Sequence, residues 1–484
     1  MPRPRQACAT AAMLLLLGAA VRCADVWPAS VPAGAAGPAT AAAEPTRGAV
    51  RALPVQPAPV ASACTGGPGA PPADPAPADE DLQVAPDSLR ALLARHRNRR
   101  PDLAELVEIG TTRQGRPLLA LALGRGCRRD RAGAAILLDG SHHGDEPLAT
   151  AIVLDAARYL LERQGRDARV DRWLQELTFW LVPLVNPDGW QARLRFGRGG
   201  RKNGRDHDGD GRLWLSEGVD LNRNYPFRWG ALGQAGSSSR PAHRSYRGPA
   251  PASEPETRAL MRLAEAEHFV GAITYHVGAV ALLVPYTIDF ARSPEPNEAW
   301  SVASWIAARM PRHPDAAPGI GFPVRRKLYA VDGTSQDWLR FAHGTAAFLI
   351  EAGLRPAGNP AARARRIVRS VRPSWMLLAE RFLSGPSIDG YVSDAAGRPV
   401  SAEVEILETE LREGELWRSR CRDGYYARYL PGPGRYTLRV SAPGLAPVER
   451  PVAVGTERAR LDIALGVVVA PALACLDGVE PSAG

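Results

Sequence analysis

The chain has 484 residues, 45% of them hydrophobic and 23% charged, with a formal net charge of +9 at pH 7 and six cysteines. That length suffices for one large domain and one small one, while six cysteines are too few for a disulfide scaffold. Arginine is spread along the whole chain without a basic block or interleaved aromatics, and Lys202 and Lys327 are the only lysines, so the charge reads as a solvated surface and no nucleic-acid partner is expected.

Residues 1–24 place Arg3 and Arg5 before an apolar core centred on Leu14-Leu15-Leu16-Leu17 and then small residues. This is a secretory signal pattern, too short to span a membrane, and no other stretch is long and apolar enough for a transmembrane segment. A secreted or periplasmic location is expected, with release favoured over lipidation because Arg22 precedes Cys23. Residues 25–84 are Ala, Pro and Gly with almost no periodicity, the composition of a disordered linker. Cys64, Cys127, Cys421 and Cys475 survive cleavage, and their pairing is not readable.

Pro86-Asp87-Ser88 opens a helix through Leu89, Leu92 and Leu93. Residues 105–112 and 118–123 read as two strands around Gln114-Gly115-Arg116-Pro117. A buried strand, Ile136-Leu137-Leu138-Asp139-Gly140, then stops at Ser141-His142-His143-Gly144-Asp145-Glu146, followed by a helix over 147–163 and a strand over 177–185. Strands alternating with helices predict an α/β domain with a mixed, largely parallel sheet flanked by helices and a site at the strands' carboxyl ends. His143 and Glu146 offer one imidazole and one carboxylate from a single turn, a partial zinc set. Alone, that spacing is common.

Further along stand Asn186-Pro187-Asp188-Gly189 and Gly218-Val219-Asp220-Leu221-Asn222-Arg223-Asn224-Tyr225-Pro226, where arginine suits a planar carboxylate. Tyr275-His276 closes an apolar run, Phe348-Leu349-Ile350-Glu351 closes another, and Leu328-Tyr329 precedes Gln336-Asp337-Trp338. In this order the motifs resemble the zinc metallocarboxypeptidase family over residues 87–382. The resemblance implies one Zn2+ per chain held by His143, Glu146 and His276 with a position open for water, and Glu351 as general base. It also implies Arg201 beside the developing oxyanion, Asn222 and Arg223 gripping the substrate's terminal carboxylate, and Tyr329 closing over it. The partner is then the C-terminus of a peptide or protein. The catalytic domain is taken as 85–383.

Beyond residue 382 short alternating strands and turns such as Pro431-Gly432-Pro433-Gly434 predict a small antiparallel β-sandwich over 386–466, followed by a tail over 467–484. It resembles the transthyretin-like domain of the N/E, or regulatory, branch of the same family, as do His276-Val277-Gly278-Ala279 and Ser335-Gln336-Asp337-Trp338. Limited proteolysis is expected to nick the chain near Ser384-Gly385-Pro386 before it destroys the catalytic domain. That branch carries an acidic residue for basic C-termini where Thr287 stands here. With Gln336, Val324, Val331 and Thr334 as the remaining lining, a neutral pocket is expected, unless Asp289 or Asp332 swings in.

His142, His207 and His343 are expected in loops or around the ligands. Asp206-His207-Asp208-Gly209-Asp210-Gly211 alternates carboxylates as calcium loops do; read as lacking an EF-hand's distal glutamate, it is expected to be solvated rather than to hold Ca2+ at Asp206, Asp208 and Asp210. Two rival readings are a peptide-binding pseudoenzyme and the same chemistry directed at bacterial wall peptides.

Overall fold

The structure is a computed structural model that describes residues 74–82, 84–124, 133–212, 214–316, 321–354 and 361–466. Among these, eight strands build the main sheet: β1 (Ala104–Thr111), β2 (Pro117–Leu123), β3 (Ala134–Gly140), β4 (Leu177–Val182), β5 (Gly271–His276), β6 (Val280–Leu283), β7 (Val324–Arg325) and β8 (Ala346–Ala352). Their order is β1-β2-β4-β3-β5-β8-β6-β7. The central four, β4-β3-β5-β8, run parallel, and antiparallel pairs flank them on both sides. The expected mixed, largely parallel sheet is what forms.

Side chains alternate along these strands. Ile136 and Leu138 of β3 face one core, together with Trp375 and Leu378 of the helix Pro373–Leu383. Ala135 and Leu137 face a second core, built on the helices Pro255–Glu267 and Ser335–His343. The helix Pro147–Arg163 begins with proline at its first turn, where no N–H is needed, and is buried over almost its whole surface. The strand expected over 177–185 ends at Val182, because Pro183 supplies no N–H to the ladder.

The C-terminal strands are β9 (Ser387–Asp394), β10 (Glu403–Ile406), β11 (Tyr425–Tyr429), β12 (Gly434–Ser441), β13 (Val448–Val454), β14 (Arg458–Arg460) and β15 (Ile463–Leu465). They form two sheets around a core of their own that includes Ile388, Val404, Tyr426 and Leu438. The sandwich is mixed rather than antiparallel, since β14 and β15 both run parallel to β9. β13 escapes the alternation signal because it is largely exposed and carries Pro451.

This unit is also stitched to the α/β part. Tyr425, Ala427 and Tyr429 belong to the main core, and the Tyr429 hydroxyl donates to the Leu378 carbonyl at 2.8 Å. Arg422 pairs with Glu267 at 2.8 Å, and the Arg420 guanidinium donates to the carbonyls of Glu267 and Gly133. The two parts thus share an interface of core packing and hydrogen bonds on either side of Ser384.

The linker expected to end at 84 is shorter. From Asp74 the chain is folded: Asp81 accepts from the buried Arg158 at 2.8 Å, and Leu82 and Val84 join the main core. The helix there, Asp79–Leu82, has one turn and too few residues for periodicity to reveal it. Residues 1–73, with the expected signal segment, and the tail from 467 lie outside the described residues. Cys421 is disulfide-bonded; Cys64, Cys127 and Cys475 are likewise not among the described residues.

Candidate active site

The carboxyl ends of β3, β5 and β8 stand side by side, so the residues that follow or close them converge. β5 and β8 are in register with His276 opposite Glu351. After β3 the chain turns through Ser141 in the left-handed region (φ 56°), an uncommon conformation for a serine. Its hydroxyl donates to the Glu146 carbonyl at 2.8 Å, closing the short loop that carries His143. Gly144 lies so near the helix Pro187–Phe196 that a Cβ would sit 2.1 Å from Trp190 N, so only glycine lets the loop seat there.

One ligand atom each from His143, Glu146 and His276 lies within 4.8 Å of the others. His143 Nδ1 is 2.9 Å from Glu146 Oε1 and 3.1 Å from His276 Nδ1, and His276 Nδ1 is 2.9 Å from Glu146 Oε2. His143 Nε2 faces Asp220 Oδ1 at 3.2 Å. A carboxylate can only accept there, which puts the imidazole proton on Nε2 and leaves Nδ1 as a lone pair turned into the cluster. Two ring nitrogens and a carboxylate aimed at one point, all buried, fit a divalent cation in the His₂Glu donor set. Burial pushes the Glu146 carboxyl up, but the two histidines outweigh it and hold it well below the usual range.

Glu351 reaches the same space without being part of that trio. Burial first, and the charge of Glu146 second, push its carboxyl up to about 7, and its Oε2 has no hydrogen-bond partner. Arg201 is tied down by Asp220 Oδ2, which accepts from its Nε at 2.9 Å and its Nη2 at 2.6 Å, leaving Nη1 3.1 Å from His143 Nδ1. The Asn186 side chain steadies both loops, donating to the carbonyls of His142 and Arg201 at 3.1 and 3.2 Å.

A small cavity of about 30 Å³ is lined at once by His143, His276 and Glu351 and by Asn222, Arg223 and Tyr329. Asn222 and Arg223 lie on a 3-10 turn capped by Asp220, with Asn222 Oδ1 accepting from Ser335 N at 2.9 Å. The exposed Tyr329 brings its hydroxyl to 3.5 Å from Arg223 Nη2. Val331, Thr334 and Gln336 line the cavity as expected, joined by Leu283, Leu349 and Lys327.

Thr287 and Val324 are absent from that lining. Thr287 is buried with its hydroxyl on Asp337 Oδ2 at 2.6 Å, so the position works as an anchor for the helix Ser335–His343. Asp332 is also held away from the cavity, accepting from Leu232 N at 2.8 Å and from the Ser237 hydroxyl.

The model of the zinc carboxypeptidase family matches residues 89–375. The chain belongs to the zinc carboxypeptidase family. It is 30% identical over 239 residues to carboxypeptidase A2 of Mus musculus, an overlap of 49% of this chain and 54% of that protein. It is 29% identical over 240 residues to metallocarboxypeptidase A of Trichophyton tonsurans, covering 49% and 55%. The chain thus spans about half the length of the curated relatives it matches. Among solved structures, bovine thrombin-activatable fibrinolysis inhibitor in complex with tick carboxypeptidase inhibitor has a TM-score of 0.53 at 23% identity, over 63% of this chain and 98% of that one. At that identity the likeness speaks for the fold.

Within this member of the family, Asp220 and Asn186 carry no sequence-based role, although both stand inside quoted motifs. A residue that acts through a ligand carries no chemical signature of its own. Loop 206–217 needs a correction of a different kind. Counted from Asp206 as the first position, Gly211 is the sixth and Glu217 the twelfth, so the distal glutamate is present and the EF-hand spacing is complete. Asp206, Asp208 and Asp210 offer ligand atoms within 4.8 Å of one another. Glu217 is buried, accepting from His207 N at 2.8 Å and Trp214 N at 2.7 Å.

Proposed function

We propose that this protein is a secreted or periplasmic metallocarboxypeptidase that removes single residues from the C-termini of peptides, and that residues 386–466 are a transthyretin-like domain packed on its catalytic part. One observation supports the reading: the cavity lined by His143, His276 and Glu351 is also lined by Asn222, Arg223 and Tyr329, residues suited to gripping a carboxylate. A clamp beside the reacting centre admits a chain end and rejects an internal bond. That is the chemical meaning of an exopeptidase.

Each residue then has a defined task. Zinc, when held by His143, Glu146 and His276, supplies a Lewis acid that makes water a competent nucleophile near neutral pH. Asn222 and Arg223 bind the terminal carboxylate, and Tyr329 donates to it from above. Glu351 accepts the proton of the attacking water and returns it to the leaving amine. Arg201, fixed by Asp220, meets the negative charge that grows on the carbonyl oxygen, at no cost in reorganisation.

Zinc analysis together with hydrolysis of a peptide panel read by mass tests this. Release of one C-terminal residue from free-acid peptides, and none from the matching C-terminal amides, is expected. Inert behaviour of a zinc-loaded protein toward every peptide would favour the pseudoenzyme, and cleavage confined to D-centred or side-chain-linked peptides would favour the wall substrate.

A further inference from the structure

A second cavity, of about 230 Å³, includes Asp145, Ala192, Arg201, Trp214 and Leu215 in its wall. Arg201 lines this one and not the clamp cavity, yet its Nη1 lies 3.1 Å from His143 Nδ1. Arg201 thus links the two: it lines the larger cavity and reaches His143, which lines the smaller. On the peptidase reading above, the terminal carboxylate sits on Arg223 and the scissile carbonyl comes under Arg201. The residues upstream of the bond then continue past Arg201, into the larger cavity.

Its wall has a chemistry of its own. Trp214 is 47% and Leu215 39% exposed, two adjacent apolar side chains in the wall of the cavity that Arg201 also lines. The indole N–H is already committed to Asp210 Oδ2 at 3.0 Å, and the Trp214 backbone N–H to Glu217 at 2.7 Å, so the ring is held for contact and not for hydrogen bonding. Leu215 lies over Gly199, where a Cβ would come within 2.5 Å of its side chain. Lys202 braces the floor through the carbonyls of Ser216 and Pro241, at 2.7 Å each.

We infer that this cavity is the upstream subsite of the peptidase and that Trp214 and Leu215 select a large apolar, above all aromatic, residue shortly before the scissile bond. Such a side chain covers both exposed residues and gains ring contact with the indole. A glycine there leaves them wet.

The test uses two peptides with the same final two residues, differing only in Phe or Gly at the third from the end, and a second pair varied at the penultimate position. The full-length, zinc-loaded protein is expected to show kcat/KM about tenfold or more higher for Phe in at least one pair, the scale of burying one large side chain. Trp214→Ala, and independently Leu215→Ser, should bring that ratio toward one; both side chains are exposed, so neither change empties the core. A ratio near one in the parent protein, or a ratio unchanged in both variants, overturns the inference. If no peptide is cleaved at all, the peptidase reading fails instead. Calorimetric binding of the same pairs to zinc-loaded Glu351→Gln protein still decides the subsite, by the ratio of their affinities.

Discussion

Asp220 joins His143 to Arg201: one carboxylate oxygen accepts from the imidazole Nε2 at 3.2 Å, and the other takes two guanidinium nitrogens at 2.9 and 2.6 Å. A single buried acid thus fixes the tautomer of His143 and the position of Arg201, the residue proposed to meet the oxyanion. Burial opposes its ionisation, but Arg201, Arg223 and His143 together hold it well below the usual carboxylate range. Asp220→Asn keeps the shape and removes the charge. Zinc affinity, measured by chelator competition, is expected to fall roughly 10- to 100-fold, as when an outer-shell partner is lost, and unchanged affinity would place Asp220 outside the metal's support.

Glu351→Gln separates chemistry from metal binding. The amide cannot accept a proton from water, and Glu351 is not one of the three clustered ligands. The rate should drop by roughly 10²- to 10⁴-fold while zinc content, measured by atomic absorption, stays at the parent level. Parent-like turnover would remove the base assignment.

Much of this site was legible because its residues announce themselves. Histidine and glutamate at strand ends, an arginine after an asparagine and a glutamate closing an apolar run are rare enough to be noticed in order. The parts that stayed hidden act through others or depend on distant packing. Asn186 holds carbonyls of loops 15 and 44 residues away. Thr287 was placed by counting along the chain, and the count cannot show that Asp337 from another element claims its hydroxyl. Glu217 stands six residues beyond Gly211, outside the run of alternating acids that marks the loop. The single-turn helix at Asp79–Leu82 gains its place from Arg158, far away in sequence.

Buried Glu256 gives a stability prediction with a definite sign. Burial first, then the charges of Asp188 and Glu254, raise its carboxyl to about 8 from 4.5, against the hydrogen bond that Asn203 Nδ2 donates to its Oε2 at 3.1 Å. The folded state prefers the neutral acid. Its contribution is complete below pH 4.5 and is lost as pH rises through about 8, on the order of a few kcal/mol. Glu256→Gln should therefore flatten the fall in unfolding free energy between pH 5 and 9, measured by urea titration. An equal slope in parent and variant would contradict it.

Asp206, Asp208 and Asp210 lie close together, and with Glu217 they have the spacing of a calcium loop. Like charges so near one another repel, and a bound cation relieves them. Millimolar calcium is expected to raise the melting temperature, and Glu217→Gln should remove that response while leaving zinc content intact. A melting temperature indifferent to calcium would return the loop to the solvated reading.

C-terminal specificity follows from what meets the substrate's last side chain. Leu283, Leu349 and Val331 give the cavity an apolar wall, with Thr334 and Gln336 as neutral polar groups. The acids that might serve a basic residue are engaged elsewhere. Asp332 is fully buried on Ser237 and Leu232, and Asp289 is paired with Lys327. Lys327 itself lines the cavity, with its charge paired to Asp289. Placing Lys or Arg there without a counter-charge would cost several kcal/mol. Peptides ending in Leu or Phe should accordingly exceed those ending in Lys or Arg by at least about tenfold in kcat/KM, roughly 1.4 kcal/mol. The comparison requires substrates that differ only in the final residue, and Lys327→Ala should narrow the gap if its charge contributes. A tenfold preference for Lys and Arg would mean that Asp289 leaves Lys327 to meet the substrate, and Asp289→Asn would then abolish it.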